Sequence, residues 1–202
     1  MIVVTIDQQG SRRVGDRVDA LLDLLGPSVG DRVVRPFERT VGDEVQAVLA
    51  SAEAAVDVAL DVLRWGGWSV GIGAGPVDLP LPPTSRAGSG QAFVLARTAV
   101  ERAKSRTRPV PVAVEAVDQV AGHDCEAVLT LLGAVLERRT VAGWDVIDTM
   151  RELGPHGTQL DLAERLGVTQ QAVSQRLRTA LWAEEVAARP VAARLLDQGD
   201  RG

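Results

Sequence analysis

The chain has no tyrosine, two phenylalanines and four tryptophans among its 202 residues. With so few aromatics, the core must be filled by Leu, Val and Ala. The single cysteine, Cys125, excludes an internal disulfide framework and fits a reducing compartment. It reads as a small buried apolar residue, with no partner constellation for nucleophilic chemistry. Long apolar runs are also missing. Asp and Arg interrupt each one, so no segment is suited to span a bilayer as a helix. The first residues pass straight into a strand pattern, without the basic start and cleavage site of a signal peptide. The expectation is a cytoplasmic protein with no membrane partner. His123 and His156 are isolated, and neither has metal-ligand spacing to a partner.

What is present is a globular composition, 46% hydrophobic with charges of both signs. The length suits one sizeable core, or one α/β domain with a small helical one. The net charge of −5 disfavours non-specific attraction to phosphate. It leaves room for a local basic face, which is what specific nucleic-acid binding requires.

Residues 2–6 read as a buried strand and residues 13–25 as a helix, with Val14, Val18, Leu21, Leu22 and Leu25 on one face and Gly26-Pro27 ending it. Residues 33–40 and 44–50 flank Gly42-Asp43 as a hairpin. Ser51 caps a helix running to about Trp65, which Gly66-Gly67 stops. Residues 68–74 form a glycine-containing strand, and a Pro/Gly-rich loop fills 75–90. Residues 91–104 have helical period, with Phe93, Ala96, Val100 and Ala103 on one face. A short strand covers 110–114, Val117 starts the next helix, and helices dominate from Cys125 onward. The pattern predicts an α/β sandwich over residues 1–138 followed by an all-α tri-helical module over 139–202.

The strongest signal lies in residues 159–181. Leu162, Ala163 and Leu166 mark a short amphipathic helix, and Gly167 can take the left-handed conformation that ends it. Thr169 is placed to cap a second helix reaching about Trp182, whose core side carries Val173, Leu177 and Leu181. Residues 141–153 supply a supporting helix with Trp144, Ile147 and Met150 in its core. This is the pattern of a helix-turn-helix, whose second helix enters the major groove of double-stranded DNA by its N-terminal residues. Gln170, Gln171, Ser174 and Gln175 are the base-reading candidates, with Thr169 at the cap; Arg176 and Arg178 are the phosphate candidates. The plainer reading is two packed helices with a polar surface, but glutamines in place of the usual Glu and Lys favour the functional one.

Two further constellations carry chemistry. Asp7 follows the first strand and Asp43-Glu44 sits at the hairpin turn. If the strands are neighbours, these carboxylates could converge and hold Mg²⁺ with a triphosphate. On spacing alone the preferred reading is Asp43 as a turn residue and Glu44 as a solvated one. Gly88-Ser89-Gly90 at a helix start, with Arg86 and Arg97 nearby, could hold an anion; an ordinary Ser cap is the plainer alternative.

The segments Asp7-Gln8-Gln9-Gly10-Ser11-Arg12, Thr40-Val41-Gly42-Asp43-Glu44-Val45-Gln46, Gly71-Ile72-Gly73 and Gly90-Gln91-Ala92-Phe93 with Ala96-Arg97 together resemble the SatD family of bacterial proteins. That family also ends in a helix-turn-helix followed by a Trp, here Trp182. The Gly42-Asp43-Glu44-Val45 turn resembles the signature turn of diguanylate cyclases, which implies a ferredoxin-like sandwich for the first domain. Val41 stands where cyclases carry a second Gly, and Asp7 is the only acid after the first strand. The expectation is therefore a sequence-specific DNA-binding regulator, working as a homodimer, with a sensor or dimerisation domain and no cyclase turnover. The alternative is a Mg²⁺-dependent nucleotide-binding protein using Asp7, Asp43 and Glu44.

Overall fold

A computed structural model describes residues 1–201 as a five-stranded mixed sheet covered by helices on both faces, with an all-α region towards the C-terminal end. In chain order the elements are β1 (Ile2–Gln8), α1 (Ser11–Val14), α2 (Val18–Val29), β2 (Val33–Arg39), β3 (Glu44–Leu49), α3 (Ala52–Trp65), β4 (Trp68–Ala74), α4 (Gln91–Ala103), β5 (Val112–Ala116), α5 (Gln119–Arg138), α6 (Val141–Leu153), α7 (Gln159–Leu166), α8 (Gln170–Thr179) and α9 (Trp182–Arg201).

The sheet order is β2-β3-β1-β4-β5; all neighbours are antiparallel except β4 and β5. β1 sits at the centre, and its alternation divides the core. Ile2, Val4 and Ile6 face the side covered by α2, α3, α5 and α9, while Val3 faces α4. Gly71 and Gly73 let α4 lie directly on β4. A β-carbon at either would fall 2.2 Å from an α4 backbone atom, Val100 N or Ala92 O.

Two helix starts follow caps read from the sequence, at Ser51 and Thr169, and others use caps that the structure adds. Ser51 caps α3 by accepting from Ala54 N–H, and Gly66 ends it. Asp118, Thr140 and Thr169 cap α5, α6 and α8 in the same way, and Thr158 with Asp161 forms a capping box on α7.

Several expectations are corrected. The helix expected over residues 13–25 is two helices, because Gly15 takes φ 81° between α1 and α2. Val14 therefore points outward, 51% exposed, and α2 continues past Gly26 to Val29. The last strand starts two residues later than expected, and the helix after it starts at Gln119 rather than Val117. Ser89 does not cap α4; Gly90 holds that position at φ 117° without a side-chain bond. α8 stops at Thr179, because Leu181 adopts φ 53° and is exposed rather than pointing into the core.

The second core gathers Val146, Ile147, Leu162, Ala163, Val173 and Ala180, with Met150, Leu166, Leu177 and Trp182 against it. Trp144, expected there, instead packs on the first core. α9 leaves the small core and returns to the large one, where Ala192, Ala193 and Leu196 are buried beside Cys125, Leu129 and Leu132. Charges pin the seam. Arg64 of α3 stacks on Trp144 at 3.9 Å and bonds Asp148 at 2.6 Å. Fully buried Arg139 donates to Ala180 O at 2.8 Å and to Glu185 at 2.6 Å, and Arg189 bonds Glu185 and Asp57, each at 2.6 Å.

Candidate functional site

α7, the Gly167 turn and α8 form one compact unit. Gly167 sits at φ 64°, ψ 34°, so the chain reverses within three residues; Val168 N–H then bonds back to Ala163 O at 3.0 Å. Buried Val173 and half-buried Leu177 hold α8 to the core. The other side of α8 follows by helical geometry: Gln170, Gln171, Gln175 and Arg178 are exposed, and Ser174 is half-buried among them.

Gln171, Ser174, Gln175, Arg178 and Thr179 line a single shallow depression. Among the described residues, no side chain of this group has a hydrogen-bond or ion-pair partner, and α8 contains no acidic residue. Arg176 and Arg178 make no ion pair among the described residues, whereas Arg165 on α7 is paired with Glu152. The face thus offers amide, hydroxyl and guanidinium groups whose hydrogen bonds are unspent within the protein.

The acidic candidates are arranged differently. Asp7 and Glu44 stand opposite each other in the β1–β3 register, as neighbouring strands require. Burial raises the Asp7 carboxyl, Lys104 at 2.9 Å counters this, and Asp43 and Glu44 push it up again. Glu44 accepts from Thr40 Oγ1 at 2.6 Å and is buried, not solvated, because α4 and the loop before it cover this face of β3. Among the described residues, no group of three His, Cys, Asp or Glu side chains is placed to hold a metal ion.

Glu44 instead meets the anion candidates. Glu44, Gln46, Arg86, Gly88, Ser89, Gly90 and Arg97 line one cavity of about 580 Å³ between the hairpin and α4. Gly88 allows the loop to lie on the Phe93 ring, which a β-carbon there would strike at 2.1 Å. Asp7 lines a separate cavity, and Asp43 lines neither. Thr40 and Gln46 lie within the family-like segment and not among the site candidates, although the alternation of β3 puts residues 44 and 46 on one face.

The chain is thus an α/β protein carrying a helical module with an unpartnered polar helix face. No family model, no curated protein and no solved structure matches it.

Proposed function

We propose that the protein binds double-stranded DNA in a sequence-specific manner and regulates transcription, with α7–turn–α8 as a helix-turn-helix and α8 as the recognition helix. The observation that carries this reading is the outer face of α8: Gln170, Gln171, Ser174, Gln175 and Arg178 have no side-chain partner among the described residues, and no acid lies on the same helix. Glutamine and serine read base edges, and Arg176 and Arg178 hold phosphates. The strand order β2-β3-β1-β4, with α2 and α3 packed on one face, supports a ferredoxin-like sandwich extended by β5. The order of the motifs along the chain supports membership of the SatD family. In this reading the sheet domain serves as sensor or dimerisation unit.

The test uses the full chain on a site selected from random duplex DNA. Gln171→Ala or Ser174→Ala should weaken that site by about 1–3 kcal/mol while leaving non-specific binding unchanged. Arg178→Ala should weaken all sequences alike and flatten the salt dependence. Unchanged site affinity in both Gln171→Ala and Ser174→Ala would remove α8 as the reading element.

A second reading rests on the cavity shared by Glu44, Arg86 and Arg97: a Mg²⁺-dependent nucleotide site. Cyclase turnover is not expected from it, since Asp7 and Glu44 are each tied to a different neighbour. Product from GTP or ATP with Mg²⁺, abolished by Glu44→Ala, would reverse that expectation.

A further inference from the structure

The chain carries a net charge of −5, yet one cleft is strongly basic. It has a volume of about 1010 Å³ and lies where the β1–α1 turn meets the segment joining α4 to β5. Six cations line it, Arg12, Arg13, Arg17, Lys104, Arg106 and Arg108, against a single carboxylate, Asp7.

These cations fall into two groups. Lys104 and Arg108 form the inner wall and are fixed. Lys104 bridges Asp7 at 2.9 Å and Glu101 at 2.7 Å. Arg108 donates to Glu126 at 2.5 Å and to Val112 O at 2.8 Å, while its Nε has no protein acceptor. Arg12, Arg13 and Arg106 are exposed and make no ion pair among the described residues. Arg17 lies 5.9 Å over the Trp68 ring, also without an acid.

Most arginines elsewhere are paired, including Arg32, Arg39, Arg64, Arg102, Arg139, Arg151, Arg165 and Arg189. Unpaired cations gathered around one concavity repel one another, and low-dielectric walls focus their field into it. A bound polyanion relieves that repulsion.

The cleft also has an annex of mixed character, with Arg64, Glu137 and Arg139 beside apolar side chains. A cavity of about 420 Å³ shares Gln9, Gly67, Pro109 and Pro111 with it and continues to Leu63, Val110 and Leu136. The combined shape suits a charged group at one end and a compact organic body at the other.

We propose that this cleft binds a small polyphosphate, either inorganic or attached to a nucleoside, held by Arg12, Arg13, Arg17, Lys104, Arg106 and Arg108. The site differs from the α8 face and from the Glu44 cavity, so its fate is independent of theirs. Concavity favours a small anion over a duplex, which needs an element that projects into a groove.

The test is calorimetric titration of the full chain with tripolyphosphate, ATP and GTP, each at low and raised salt. Saturable binding that weakens with salt is expected. The Arg12→Ala/Arg106→Ala double variant should weaken it at least about tenfold, as expected when charge-assisted contacts are lost. Both residues are exposed and unpaired, so the variant should keep the thermal midpoint of the parent. Arg194→Ala, which removes an unpaired exposed charge outside the cleft, should change the affinity less than about twofold, because distant surface charges are screened. Equal affinity for tripolyphosphate and nucleotides assigns binding to the phosphates alone. Tighter nucleotide binding brings in the annex. Absence of saturable binding, or equal loss in the double variant and Arg194→Ala, overturns the proposal. Loss of duplex DNA binding in the double variant, with no tripolyphosphate binding to the parent, does so as well.

Discussion

Gly71 and Glu126 show how single positions carry this fold. A methyl group at Gly71 would fall 2.2 Å from Val100 N and 2.7 Å from Ala96 O, both in the α4 backbone. Neither can yield without lifting the helix off the sheet. Gly71→Ala should therefore lose about 3 kcal/mol in urea unfolding, at the upper end for overpacking. Burial alone would raise the Glu126 carboxyl. The hydrogen bond from Val114 N–H and the guanidiniums of Arg108 and Arg102 outweigh it and hold the group below the usual glutamate range. A carboxyl lowered in the folded state stabilises fully above its unfolded pKa of about 4.3, and that contribution disappears as pH falls through the folded value. Glu126→Gln should be less stable than the parent by about 3 kcal/mol near neutral pH. The gap should close in acid, and a gap independent of pH would show that the charge is not what matters. Cys125 is fully buried and its thiol is pushed up to about 12 by burial and by Glu126, so alkylation of the native protein at neutral pH should be negligible. The burial of Cys125 was legible from residue type. The burial of Glu126 was not, because its partners Arg102, Arg108 and Val114 are distant in sequence.

At the scale of elements, periodicity and caps located most helices, since Ser51, Gly66, Gly167 and Thr169 act on their immediate neighbours. What they could not show is where an apolar stripe goes. Ala192, Ala193 and Leu196 would look the same against either core, and only the fold sends them to the large one. The same limit hid the role of Trp144, and the split at Gly15 depended on a φ that glycine permits without requiring. The α8 face was readable because exposure follows directly from helical period, whereas the Glu44 cavity needs three distant segments to meet. α9 also contains Pro190, exposed in its interior. Proline there removes a backbone donor and crowds the preceding turn. Pro190→Ala should stabilise the protein by about 2 kcal/mol, read as a higher thermal midpoint. No gain would mean that the helix has already relaxed around the ring. A fragment of residues 139–202 should bind DNA poorly, because it would expose the face of α9 that the large core covers.

For the whole molecule, the proposed DNA reading requires more contact than one small helical unit supplies. A homodimer provides two copies of α8, expected about 34–36 Å apart on an inverted repeat. Light scattering after size exclusion should give twice the 21.4 kDa chain mass, and a monomer both free and on a half-site would exclude the dimer. The apolar stripe of α5 is mostly committed to the core: Leu132 is buried and Val128 packs on it, leaving Leu131 outward at 70% exposure. The pairing surface must therefore lie largely on other residues.

The return of α9 to the sheet has a consequence for how the protein is made. Residues 1–138 can form their strands on the ribosome, but the side of α5 and α3 that receives Ala192, Ala193 and Leu196 stays open until residues 182–201 have emerged. At about 5–20 residues per second, that interval lasts several seconds, during which Leu129 and its neighbours invite chaperones. Translation arrested within α9 would release a chain whose sheet domain is unfinished. A chain truncated within α9 should therefore be cleaved faster by protease than the full chain, at sites in α3 and α5 that α9 otherwise covers.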